Sequence, residues 1–96
     1  MKTMEDPHSY LLFDSIHYVM KAEERLKKAG IVIDLVPVPK EISSDCGMCI
    51  AFRSQDLGKI SSLTSEQGFP GTIRVYQRTG KDQYRQLEVF QPGETI

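Results

Sequence analysis

The chain contains no tryptophan and only two cysteines, Cys46 and Cys49. Two thiols are too few for a four-thiolate zinc site, and His8 and His17 could complete one only if the amino-terminal residues folded over it, so no metal is expected. An excess of either charge is missing too: 12 basic side chains stand against 13 acidic ones, for a formal charge of −1. Binders of a phosphate backbone normally carry a basic surplus or stripe, so nucleic acid is not an expected partner. The densest basic cluster, Arg25, Lys27 and Lys28, follows Glu23 and Glu24 on a helical period and reads as a solvated face. No apolar run approaches the roughly 20 residues that cross a bilayer. The opening MKTMEDPHSY lacks the apolar core of an export signal. These absences predict a cytoplasmic protein with no membrane partner, and in that compartment thiols stay reduced. Cys46 and Cys49 are therefore read as chemistry or packing, not as a structural staple. No G-x-S-x-G, Walker loop or dinucleotide fingerprint is present, and no cofactor is expected.

What is present fits one small domain. The 96 residues are 40% hydrophobic and 26% charged, an ordinary globular composition with a thin margin of core. Residues 1–8 are polar and read as a loose tail, 9–90 as the domain, and 91–96 as a short second tail. Tyr10 to Phe13 form an unbroken apolar run, as in a central buried strand. Asp14 or Ser15 can cap a helix over about Ser15 to Ala29, with Ile16, Val19, Met20, Leu26 and Ala29 in one stripe that Glu23 interrupts. Glu23–Lys27 and Glu24–Lys28 are favourable pairs four apart, and Gly30 is a good terminator. Ile31 to Val36 reads as a strand whose continuation Pro37 and Pro39 oppose.

After a polar loop, Met48 to Phe52 reads as a second strand. Ser54 can cap a second helix carrying Leu57, Ile60 and Leu63, with Gly58 as a weak point and Gly68 and Pro70 ending it. Thr72 to Arg78 alternates as a strand, Thr79 to Gln83 resembles a hairpin connection, and Tyr84 to Phe90 a last strand. The order predicts an α+β domain, specifically a ferredoxin-like βαββαβ sandwich with an extra C-terminal strand. An open α/β sheet of another strand order is the rival.

The unusual segment is PVPKEISSDCGMC, Pro37 to Cys49. Two prolines stiffen the approach, and Ser43, Ser44 and Asp45 favour turns. Gly47 can take a positive φ or admit a close neighbour. A thiol at such a bend, Cys46, lies near backbone N–H groups able to hold an anion. In a βαββαβ domain the first two strands run parallel, so this loop and the start of the first helix share one end. A helix N-terminus or a nearby cation lowers a thiol's pKa, and Lys40 and His17 are the candidate cations. Cys49, followed by Ile50, Ala51 and Phe52, reads as a small core hydrophobe. Cys46 and Cys49 also form a C-x-x-C, which allows a redox reading with Cys49 as the resolving thiol. Thioredoxin-type pairs open a helix, however, and this one opens a strand. A Cys46–His17 hydrolase would have little room for a substrate pocket.

These residues resemble a known family. An apolar strand precedes K-A-E-x-x-L-K-x-A-G (Lys21 to Gly30), then P-V-P (Pro37 to Pro39), then [KR]-E-[IL]-S-S-x-C-G (Lys40 to Gly47). Over Tyr10 to Phe52 the chain is similar to small bacterial proteins of the selenium/sulfur (Se/S) carrier-like family. The resemblance implies that Cys46 is the carrier thiol, taking up sulfur or selenium as a persulfide or perselenide. It implies that Lys40, Ser43, Ser44 and Gly47 shape the loop around it, and that the partners are a desulfurase-like donor and an acceptor enzyme. The protein would carry without turnover of its own. Cys49 departs from the family pattern, where an aliphatic or small residue is usual. Two rival expectations are a Cys46/Cys49 redox protein or sensor, and a non-catalytic ferredoxin-like interaction module. The latter would be a homodimer through an uncovered sheet face or edge strand.

Overall fold

The structure, a computed structural model, describes residues 9–42, 47–67 and 71–90. Both expected tails and the loop residues 43–46 lie outside that set. The elements are β1 (Ser9–Phe13), α1 (Ile16–Lys28), β2 (Ile33–Pro37), β3 (Met48–Phe52), α2 (Leu57–Gln67), β4 (Ile73–Gly80) and β5 (Gln83–Phe90), with a 3-10 turn over Ser54–Asp56 leading into α2. This is the expected element order. The five strands form one antiparallel sheet in the order β2-β3-β1-β4-β5, which makes the fold a mixed α+β domain.

The apolar run of β1 is explained by its central place. Side chains alternate across a strand, so Leu11 faces one side of the sheet while Tyr10 and Leu12 face the other. Leu11 joins Val19, Leu26, Ile50, Phe52, Ile60, Ile73 and Val75 in the main core. Because that cluster takes residues from both helices, α1 and α2 cover the same face. Tyr10 and Leu12 join Cys49 and Ala51 in a second cluster on the helix-free face. β3 is likewise buried on both sides, with Cys49, Ile50, Ala51 and Phe52 all inaccessible.

Helix α1 buries a narrower stripe than its sequence implies. Val19, Ala22 and Leu26 are buried, whereas Ile16 and Met20 are 54% and 53% exposed. The stripe turns toward Ala22, and Glu23 sits at its edge, where it pairs with Lys27 at 3.1 Å. Ser15 occupies the N-cap position without a side-chain cap bond. Its carbonyl instead accepts the N–H groups of Tyr18 and Val19. At the other end Gly30 takes φ +81. The Gly30 N–H donates to the Lys27 carbonyl and the Ile31 N–H to the Leu26 carbonyl, at 3.0 and 3.1 Å. This is a Schellman stop, with Ile31 and Leu26 as its apolar contact. It draws Ile31 into the core, so β2 starts at Ile33 and not at Ile31.

Three other boundaries differ from expectation. Ser54 does not cap α2: it lies in the 3-10 turn and its hydroxyl meets that of buried Ser9 at 2.7 Å. The same turn buries Asp56, which accepts two 3.2 Å contacts from the Arg53 guanidinium. The β4–β5 hairpin is also tighter than five residues. β4 runs to Gly80 and β5 starts at Gln83, and Asp82 takes φ 60, a conformation Asp tolerates better than most residues.

The rotation of the α1 stripe sets one test by urea unfolding. Leu26→Ala should cost about 2–5 kcal/mol, while Met20→Ala should stay within about 0.5 kcal/mol. A large loss from Met20→Ala would contradict the buried face described.

Candidate functional site: the loop between β2 and β3

β1 and β2 each pair antiparallel with β3, so they run in the same direction. The connection from β2 to β3 therefore emerges at the end of the sheet where α1 begins, as expected. The ladder continues past β2: the Val38 N–H donates to the Gly47 carbonyl at 2.9 Å, beyond the Pro37–Met48 pair. Pro37 and Pro39 fix φ on either side of Val38, and the Ile42 N–H closes a turn onto the Pro39 carbonyl at 3.0 Å.

The first half of this loop folds onto the helix-free face. Val38 and Ile42 pack against the cluster of Tyr10, Leu12, Cys49 and Ala51. Tyr84 reaches the same cluster from β5, its ring edge-on to Tyr10 with centroids 5.8 Å apart. The Tyr84 phenol is held above its ordinary pKa, first by burial and then by Tyr10 and the Glu41 carboxylate. Sequence reasoning missed this roof. The available signal was a pair of aliphatic residues, 38 and 42, inside an otherwise polar loop.

Of the expected thiol environment, the structure describes Lys40, His17 and Gly47. Cys46, Ser43 and Ser44 lie outside the described residues. Lys40 is exposed in the loop, and His17 is exposed in the first turn of α1, its ring 6.3 Å from that of Tyr18. Among the described residues no hydrogen bond or ion pair joins His17 to Lys40. The roof formed by Val38 and Ile42 lies on the face opposite α1. Of the two readings open for Gly47, the positive φ is not the one adopted. Among the described residues the glycine with a positive φ is Gly30, and a Cβ built on Gly47 would meet nothing within 4 Å. Among the described residues neither backbone strain nor crowding calls for glycine there.

Cys49 is resolved in detail. It is fully buried, and its Sγ lies 4.0 Å from the Pro37 carbonyl. Burial pushes the thiol up to about 12 from an ordinary 9.0. A thiol in that state is neither nucleophile nor metal ligand near neutrality. Among the described residues no three potential metal ligands cluster, and no helix is long and apolar enough to cross a membrane.

A family model described as "Putative Se/S carrier protein-like" matches residues 8–73. The chain belongs to this family. The match runs from the residue before β1 to the first residue of β4, and so spans both helices, both cysteines and the loop between β2 and β3. Strand β5 of this Se/S carrier-like protein lies beyond it. No curated protein and no solved structure matches the chain significantly.

The sealed thiol gives a test with a definite sign. Its pKa is raised on folding, so the folded form holds the proton more tightly. The associated stability is complete below pH 9.0 and is lost as pH rises toward about 12. Cys49→Ala should flatten the alkaline stability profile relative to wild type over that interval. Native Cys49 should also resist iodoacetamide at pH 8 and react once the chain is unfolded. Rapid native alkylation would contradict the burial.

Proposed function

We propose that the protein carries a sulfur or selenium atom on Cys46, as a persulfide or perselenide, and delivers it to a partner enzyme. The observation that carries this reading is the state of the other thiol. The chain has two cysteines, and Cys49 is shut away with its pKa near 12. Carrier chemistry in this family member therefore falls to Cys46, in the P-K-E-I-S-S-D-C-G segment of the matched region. The donor would be a desulfurase-like enzyme that presents a persulfide on its own cysteine. The Cys46 thiolate attacks the outer sulfur, a new S–S bond forms on Cys46, the donor's S–S bond breaks, and the donor leaves as a thiolate. Delivery repeats the exchange with an acceptor nucleophile, so no external oxidant or reductant is consumed.

In this reading Lys40, Ser43, Ser44 and His17 favour the charged form of the sulfur, and Gly47 keeps the approach to it open. Open space around Gly47 supports a role toward a partner over one within the fold. We also read the first six elements as a ferredoxin-like unit. In support, β3 lies between the parallel-running β1 and β2, and β4 lies on the other side of β1. The Cys46/Cys49 redox alternative is disfavoured, because a resolving thiol must ionise and be reached, and burial opposes both for Cys49.

Incubation with a low-molecular-weight persulfide donor, followed by intact mass spectrometry, should add one sulfur to the wild type and to Cys49→Ala. Cys46→Ser should take up none. Uptake by Cys46→Ser, or a loss of two hydrogens in the wild type under mild oxidation, would overturn the one-thiol reading. Gly47→Ala should leave stability within about 0.5 kcal/mol while slowing transfer to a protein acceptor.

A further inference from the structure

The two edges of the sheet are unlike. β2 is five residues long and ends on Pro37, and proline is one of the devices that blunt an edge. β5 is eight residues long, QYRQLEVF, with no proline and no lysine. Among the described residues no strand pairs with its outer side. Leu87 and Val89 on it are 36% and 37% exposed. An edge of this length without proline or lysine is a template for another strand, provided that its bulge and its charges suit the partner.

The irregularity in β5 selects the partner. β4 and β5 pair as Tyr76–Gln86 and then as Val75–Glu88, leaving Leu87 as an extra residue. On a regular strand, residues an odd number apart point to opposite faces. The bulge cancels that rule. Arg85, opposite Gln77, and Glu88, opposite Val75, both lie on the helix side of the sheet. Tyr84, opposite Arg78, and Val89, opposite Arg74, both lie on the helix-free side.

We infer that β5 is a homodimer interface, pairing antiparallel with β5 of a second copy about a two-fold axis between Gln86 and Leu87. In that register Arg85 of each copy stands opposite Glu88 of the other, and Tyr84 of each stands opposite Val89 of the other. Opposite charges and an aromatic beside a β-branched residue are favourable cross-strand pairs. Without the bulge this register would set residues of opposite faces against one another. The charges are self-complementary in this register, which favours a second copy as the partner. The two sheets would join into one, leaving both β2 edges and both β2–β3 loops at its far ends.

Sedimentation equilibrium of the full chain over a concentration series tests this. The wild type should form a dimer. Arg85→Glu and Glu88→Arg each place like charges opposite one another and should weaken self-association by roughly 10- to 100-fold. The double variant R85E/E88R restores opposite pairs and should recover wild-type association to within about threefold. Hydrogen exchange on the wild type gives an independent reading: β5 amides should gain protection as concentration rises. A wild type that stays monomeric throughout would overturn the inference. So would single variants that associate as tightly as wild type, or protection that appears away from β5.

Discussion

Two neighbouring strands buried on both faces, β1 and β3, are the constraint to which the rest of the fold answers. One face of the pair offers Leu11, Ile50 and Phe52, which the two helices cover. The other offers Tyr10, Leu12, Cys49 and Ala51, which neither described helix covers. Apolar surface of that extent cannot be left in water without loss of several kcal/mol. A loop and the aromatic side chains of the outer strands close it instead. The segment between β2 and β3 therefore has a structural duty in its first half, whatever chemistry its second half performs.

That division also organises the candidate site. Val38 and Ile42 belong to the roof, while Lys40 and Glu41 between and beside them face outward. Gly47 rejoins the ladder through its carbonyl. The packing that completes the core on this face also buries Cys49, three residues after the proposed carrier thiol in the sequence.

Much of the architecture was legible in the residues. The uninterrupted Tyr10–Phe13 run marked a strand buried on both sides, Gly30 marked the end of α1, and Cys49 followed by Ile50, Ala51 and Phe52 marked core. The parallel course of β1 and β2 was expected of a βαββαβ domain, and with it the end of the sheet where the loop emerges. What was not legible depended on tertiary choice. The α1 stripe could turn toward Ile16 and Met20 or toward Ala22, and only the sheet beneath decides. Ser15 and Ser54 are both capping residue types, yet the Ser15 side chain makes no cap bond and the Ser54 hydroxyl is taken up by Ser9. The residues leave Gly47 open to a left-handed backbone or to a close neighbour, and nothing local in the sequence tells which; its φ is not the left-handed one. The roof over the helix-free face escaped notice because its two aliphatic residues lie four apart in a loop, where no strand period or regular helix frames them.

The sealed position of Cys49 has a use apart from the carrier chemistry. Its sulfur can meet a reagent only when the side chains packed on that cluster, Val38 and Ile42 among them, move away or the whole domain comes apart. Its alkylation rate is thus a clock for the opening of that cover, in the way that amide exchange times local unfolding. A docked partner that clamps the loop should slow the clock, and one that pries it up should speed it. The protein thus contains its own gauge of what a visitor does to the segment beside the candidate sulfur.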